Sequence, residues 1–157
     1  LAIRPLEARD VEAILAIQAA CPEIAQWTAR DYDRVARGEM AGWVATENSD
    51  AAVEGAAEVA CEVAGFLVAR RLSSDLEILN FAVESEWRRC GVGASLLGEA
   101  LKWAHSFQAM QAILEVRASN LAALRFYQRH KFEVVGRRPR YYMAPVEDAL
   151  LLTAPLV

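Results

Sequence analysis

Val83-Glu84-Ser85-Glu86-Trp87-Arg88-Arg89-Cys90-Gly91-Val92-Gly93-Ala94 is the stretch on which the fold turns. It follows the apolar run Leu76 to Val83. It precedes Leu96, Leu97, Ala100, Leu101 and Ala104, which recur at helical spacing over Gly91 to His105. A glycine-rich turn between a strand and a helix exposes first-turn N–H groups and the positive end of the helix dipole, which suits an anion. Arg88 and Arg89 add positive charge, while Gly91 and Gly93 allow close approach. The spacing is not G-x-G-x-x-G and no Lys-Ser/Thr follows, so neither a dinucleotide fingerprint nor a Walker loop fits. On these residues alone the segment is either an anion cradle or an ordinary strand-to-helix turn.

Upstream, Val63 to Leu72 and Leu76 to Val83 read as strands joined by the tight turn Ser73-Ser74-Asp75, which pairs them antiparallel. Leu1 to Leu6 reads as an opening strand. Asp10 caps a helix running to about Ala20, with Val11, Ile14, Leu15 and Ile17 on one stripe. Thr28 caps a second helix that Gly38 stops. Gly42 to Thr46 is a further strand, and Asn48 to Glu62 reads as an enlarged, solvated hairpin connection.

Downstream, Ala112 to Val116 is a strand in which Ala112, Leu114 and Val116 face one side and Ile113, Glu115 and Arg117 the other. Glu115 is then a surface residue, an ion-pair partner of Arg117, or a base in a cleft. Ser119 caps a helix with Leu121, Leu124 and Tyr127 on a stripe. Phe132 to Arg137 and Ala149 to Thr153 are the last strands. The order is that of one mixed α/β domain over residues 1–157, built on a single sheet.

Composition narrows the function classes. There are 157 residues, 17 Lys+Arg and 21 Asp+Glu, for a net charge of -4. That balance disfavours a chain that wraps nucleic acid along its surface. Hydrophobic residues make up 55%, so disorder of the whole chain is excluded. Cys21, Cys61 and Cys90 are odd in number and widely spaced, which fits neither a disulfide framework nor a zinc site and suits a reducing cytoplasm. No charge-free run approaches the roughly 20 residues of a membrane span, and no signal peptide precedes the first strand. Arg137-Arg138-Pro139-Arg140 reads as a solvated strand end.

Taken together, the Arg-x-x-Gly-x-Gly turn, the strand with Glu115 and the helix opened by Ser119-Asn120 and carrying Tyr127 resemble the GNAT superfamily of acyl-CoA-dependent N-acetyltransferases. Leu114 to Asn120, Tyr127, Phe132, Tyr141-Tyr142, Glu147-Asp148-Ala149 and the early Trp27-Thr28 resemble its RimI-type ribosomal-protein alanine acetyltransferases. The similarity is strong from Glu77 to about Leu152. It implies a mostly antiparallel twisted sheet, splayed at the acyl-CoA site and flanked by about four helices. It also implies acetyl-CoA as cosubstrate and no metal.

The resemblance assigns roles residue by residue. Arg88, Arg89, Cys90, Gly91, Val92, Gly93 and Ala94 would bind the pyrophosphate. Phe81, Ala82 and Val83 would meet the pantetheine arm and thioester, and Asn120 would touch the arm from its helix start. Glu115 would be the base, acting through water, and Tyr127 would protonate or hold the CoA sulfur. Trp27, Asn80, Tyr141 and Tyr142 would line the acceptor site. The implied partner is a protein N-terminus, such as that of a ribosomal protein, acetylated by a monomer or homodimer without nucleic acid or membrane. Because fold does not fix substrate, a small amine or a lysine side chain is the alternative acceptor. A non-catalytic acyl-CoA-binding module is a further alternative, disfavoured by the presence of both Glu115 and Tyr127.

Overall fold

A computed structural model gives the architecture and describes residues 1–47 and 62–157. Strand β1 (Ala2–Pro5) leads into helix α1 (Val11–Ala19) and helix α2 (Ala29–Ala36). Strands β2 (Ala41–Thr46), β3 (Val63–Leu72) and β4 (Asp75–Val83) follow, then helix α3 (Val92–Ser106), strand β5 (Gln111–Arg117) and helix α4 (Leu121–Arg129). Strands β6 (Glu133–Met143) and β7 (Val146–Pro155) close the order. The enlarged connection expected over Asn48 to Glu62 falls outside the described residues, apart from Glu62.

The strands form one seven-stranded sheet in the order β1-β2-β3-β4-β5-β7-β6. All neighbours are antiparallel except β4 and β5, which run parallel. This is the mixed, mostly antiparallel sheet that the resemblance implied, flanked by four α-helices among the described residues.

Apolar side chains on the two faces make two cores. Leu76, Ile78, Leu96, Leu97, Ala100, Leu114, Val116, Tyr127, Phe132 and Leu152 pack on the face covered by α3 and α4. Ile14, Ile17, Tyr32, Val35, Val44, Phe66 and Val68 pack on the face covered by α1 and α2. A register break between Val68 and Ala69, opposite Asn80 and Ile78, marks a bulge in β4 at Leu79. The bulge changes the parity of the strand. Before it, Leu76 and Ile78 face α3; after it, Phe81 and Val83 pack on that core while Asn80 and Ala82 turn to the other face.

Local chemistry explains the helix starts. Thr28 Oγ1 accepts from Asp31 N (3.3 Å) and Asp31 Oδ2 accepts from Thr28 N (2.8 Å), a reciprocal capping box. Asp10 does not cap α1 with its side chain. Its carboxylate takes two bonds from the Arg4 guanidinium (2.8 and 2.7 Å) and one from Glu7 N (2.8 Å), tying β1 to the helix entry. Asn120, not Ser119, caps α4, with Oδ1 accepting from Ala123 N (3.2 Å). Ser119 N instead donates to Glu147 Oε1 (2.6 Å).

The β6–β7 hairpin extends further than the apolar residues suggest, to Met143 and Val146, around a turn with a cis Ala144–Pro145 peptide. Pro139 sits in β6, an edge strand, where a missing N–H is tolerated.

Candidate active site

The parallel seam is the origin of the site. β4 and β5 pair only through Asp75↔Gln111, Leu76↔Ala112 and Glu77↔Ile113. Beyond those pairs Ile78–Val83 and Leu114–Arg117 diverge, and a groove of about 990 Å³ opens between them. It is lined from β4 by Glu77, Leu79, Asn80 and Phe81, from β5 by Ile113, Leu114, Glu115 and Val116, and from α4 by Ala123 and Tyr127. Glu23, Ile24, Ala25 and Trp27, between α1 and α2, form one wall. Arg138, Tyr141 and Tyr142 of β6 form the facing wall. The groove therefore passes through the sheet and is open to both faces.

Glu115 and Tyr127 reach this opening from opposite faces. The side chain of Tyr127 is buried among Phe81, Phe126 and Phe132, with ring centroids 6.2, 5.4 and 5.4 Å away. Burial drives its phenol pKa upward, which keeps the proton on oxygen at neutral pH. Its hydroxyl makes no hydrogen bond among the described residues. Glu115 lies on the α1/α2 face with Glu77 and Ile113. The register and the two-residue period set all three on one side of the sheet.

Glu115 pairs with Arg138 (Nε to Oε1, 3.1 Å), and its carboxylate is the main cause of the raised pKa of the neighbouring Tyr141 phenol. The expected alternative of a Glu115–Arg117 pair is not formed. Arg117 bonds Glu147 (3.2 Å) and the carbonyls of Pro145 and Ala144, and its guanidinium lies 4.3 Å from the Tyr142 ring centroid. Burial, with the charge of Glu115 beside it, pushes the Tyr142 phenol up to about 12. Arg137 to Arg140 are exposed, as expected, but they lie within β6 and not at its end; Arg138 also lines the groove, and Arg137 pairs with Asp148. Nothing in the local sequence pointed to Arg138; its register against β7 brings it to Glu115.

The turn after β4 has the features of an anion cradle. Arg89 and Gly91 have φ of 62° and 80°, the left-handed region. Gly91 is the N-cap of α3, and the first 1-to-5 bond of the helix runs from Ser95 N to Gly91 O (3.0 Å). The amides of Val92, Gly93 and Ala94 in the first turn have no intrahelical acceptor. A Cβ on Gly93 would lie 3.3 Å from the Phe126 ring and 3.5 Å from Phe81, so only hydrogen fits there without displacement. Cys90 is exposed in this turn. The Arg88 guanidinium is turned away from the cradle: Nε donates to Val83 O (3.1 Å) and Nη2 to the buried Cys21 Sγ (3.2 Å).

The three β4 residues expected to meet an acyl donor differ in what they offer. Glu84 N donates to Ala64 O (2.8 Å), so the antiparallel alternation pairs Ala82 with Phe66. The main-chain groups of Ala82 face β3, and those of Phe81 and Val83 face away from it; there Phe81 N donates to Asn80 Oδ1 and Val83 O accepts from Arg88 Nε, which leaves Phe81 O and Val83 N toward the splay. Ala82 is therefore corrected from a donor contact to a strand-pairing residue. Asn120 lines the groove while its Oδ1 caps α4. Asn80 lines the groove floor with a side chain only 3% exposed, bonded to Ala25 and Tyr32. Its side chain serves the structure and is not an open acceptor contact. Glu77, missed in the sequence, lines the groove and pairs with Arg70 (3.0 Å). Among the described residues no group of His, Cys, Asp and Glu could hold a metal ion, and no helix is long and apolar enough to cross a membrane.

A sheet parted at one parallel seam, with a glycine-turned helix at one mouth and a carboxylate and a phenol inside, defines a two-substrate group-transfer fold. The acetyltransferase (GNAT) family model matches residues 11–132, and the chain belongs to that family. The N-alpha-acetyltransferase of Sulfurisphaera tokodaii is 34% identical over 113 residues, covering 64% of this chain and 67% of that protein. Matched coverage falls to 47% of the N-alpha-acetyltransferase of Sulfolobus acidocaldarius and to 21% of a Mycobacterium leprae relative. The Escherichia coli ribosomal-protein-S18-alanine N-acetyltransferase has the same fold (TM-score 0.79, 24% identity, 99% of this chain and 93% of that one). So does Arabidopsis thaliana NAA60 in complex with acetyl-CoA (TM-score 0.80, 22% identity, 98% and 97%).

Proposed function

We propose that the chain transfers the acetyl group of acetyl-CoA to the α-amine of a protein N-terminus, directly, within a ternary complex. The observation that carries this reading is the groove through the sheet, which Glu115 enters from one face and Tyr127 from the other. The relatives named for N-terminal acetylation support the acceptor class, and a ribosomal protein N-terminus is the leading candidate.

Acetyl-CoA supplies an activated acyl thioester. The cradle fits its pyrophosphate: the first-turn amides of Val92, Gly93 and Ala94 are open, Gly91 leaves room for close approach, and Gly93 lets the helix start seat against Phe126 and Phe81. Arg89 and Cys90 belong to the same turn, and Arg88 supports it from below. Phe81 O and Val83 N face the splay and offer hydrogen bonds to the pantetheine arm and thioester carbonyl, much as a strand edge receives a peptide, while Phe81 N is held by Asn80 Oδ1 and Val83 O by Arg88. Asn120 borders that path.

On the other face Trp27, Tyr141 and Tyr142 bound the acceptor, and Glu115 takes a proton from its amine through water. An α-amine has a pKa of about 7.7–8.0, so a carboxylate suffices at neutral pH. The N–C bond forms as the C–S bond breaks, and the Tyr127 hydroxyl gives its proton to the leaving sulfur. Cys90 lies in the cradle and takes no part in the transfer.

The test is acetyl-CoA turnover against short peptides with free Ala, Ser or Met N-termini, blocked peptides, spermidine and a lysine peptide. Turnover confined to free N-termini is expected. Turnover of spermidine or lysine alone would replace the acceptor class and keep the donor half. Binding of acetyl-CoA without turnover would make the chain a binding module.

A further inference from the structure

The wall formed by residues 20–28 belongs to no helix or strand, yet three buried polar side chains fix it. Gln18, near the end of α1, clamps Trp27 on both sides: Nε2 donates to Trp27 O (2.8 Å) and Oε1 accepts from Trp27 N (3.0 Å). The Tyr32 hydroxyl of α2 donates to the same Gln18 Oε1 and accepts from Asn80 Nδ2 (2.9 Å). Asn80 Nδ2 also donates to Ala25 O (3.0 Å), and its Oδ1 accepts from Phe81 N (3.1 Å). Tyr32 is 0% exposed, and every polar side-chain atom of the trio has a partner.

Burying two amides and a phenol is costly unless all are bonded, and an apolar trio beside Phe66 and Val68 would fill the same volume without that risk. What the polar trio adds is direction. It ties one amide and two carbonyls of the loop, at Ala25 and Trp27, to β4 at the bulge next to Phe81. The loop that bounds the acceptor is thereby hung from the strand that faces the donor.

We propose that Gln18, Tyr32 and Asn80 are positioning residues for the acceptor. They act through Ala25 and Trp27 and set the width of the groove between the 20–28 loop and Tyr141–Tyr142, and with it the affinity and choice of acceptor. The inference rests on the reading of this groove as the acceptor site.

The test variant is Tyr32→Phe, which deletes one oxygen and keeps the ring that packs on Phe66 (5.6 Å) and Trp27 (5.4 Å). Gln18→Met is the second variant. Each is measured for acceptor KM, kcat, acetyl-CoA Kd and amide hydrogen exchange over 20–28. About a five- to tenfold rise in acceptor KM is expected, from the loss of two bonds of the network in Tyr32→Phe and three in Gln18→Met. kcat and acetyl-CoA Kd should stay within about twofold. Exchange should quicken over 20–28 and stay slow in β3 and β4.

Acceptor KM and loop exchange both unchanged in the two variants would overturn the inference. So would acetyl-CoA Kd rising in step with KM, the mark of a general loss of structure. Failure of the acceptor class itself is read separately, in the unmutated chain. If that chain acetylates spermidine or a lysine peptide, the same KM split is read on that acceptor. Turnover of no amine at all overturns both readings.

Discussion

Glu115 Oε1 and Arg138 Nε are 3.1 Å apart across the width of β7. Glu115 stands on β5 opposite Leu151 of β7, and Arg138 stands on β6 beyond it, so the contact exists only when three strands are in register. The same carboxylate raises the pKa of the Tyr141 phenol. Glu115 is 23% exposed: held in place, yet open to the groove.

Glu115→Gln keeps the size and removes the charge. Arg138 is 57% exposed and returns to water when unpaired, so stability should fall by less than about 1 kcal/mol. If Glu115 is the base, kcat falls about 10²- to 10⁴-fold while acetyl-CoA affinity holds. Steady-state kinetics beside calorimetric binding of acetyl-CoA decide it. Equal losses in both would make Glu115 a structural residue.

Tyr127→Phe removes a hydroxyl that no described residue bonds and leaves the contacts with Phe81, Phe126 and Phe132 in place. Thermal stability should barely move. kcat should fall about tenfold or more through loss of the acid, with both KM values little changed. An unchanged kcat removes Tyr127 from the proton transfer.

The sequence made the order of elements readable because each carries its own local signal. The strand–turn–strand of 63–83 has a tight turn, α2 has its Thr28 cap, and α3 follows two glycines. The proposed roles of Glu115 and Tyr127 were readable only through resemblance. What stayed hidden depends on distant register. Asn80 is an acceptor-site residue by resemblance, but the bulge at Leu79 changes the parity and sends its side chain to Tyr32 and Ala25. Arg138 reads as solvated because nothing beside it in the chain shows that β7 carries it to Glu115. Ser119 and Asn120 are both good caps by type, and Glu147 decides between them by claiming the Ser119 amide.

Two glycines of α3 should respond in opposite directions to alanine. Gly91 has φ of 80°, where a Cβ costs about 1–2 kcal/mol. Gly98 lies inside the helix, and a Cβ there meets nothing within 4 Å. Gly98→Ala should therefore raise stability by about 0.5–1 kcal/mol, with acetyl-CoA Kd unchanged. Gly91→Ala should lower stability and weaken acetyl-CoA binding as the cradle deforms. Urea unfolding and acetyl-CoA titration of both variants test this, and intact binding in Gly91→Ala would remove the left-handed turn from donor recognition.

All four tyrosines, Tyr32, Tyr127, Tyr141 and Tyr142, have phenols raised above the ordinary value near 10. Burial is the leading cause for Tyr32, Tyr127 and Tyr142, and the Glu115 carboxylate for Tyr141. A raised folded-state pKa means that the unfolded chain releases these protons first. The contribution to stability is then complete below about pH 10 and is lost as pH rises through the folded values, about 12 for Tyr142. Tyrosinate absorbance followed with far-UV circular dichroism should show little ionisation at pH 10 and a rise that tracks unfolding above it. Urea midpoints should fall over the same interval. Tyr141 is the least buried of the four, so its shift depends on the Glu115 contact. One tyrosine ionising near pH 10 in the folded protein, with Glu115→Gln leaving that early step unaltered, would mean that Glu115 does not hold the Tyr141 phenol up in solution. The wall of the groove would then be looser than its geometry states.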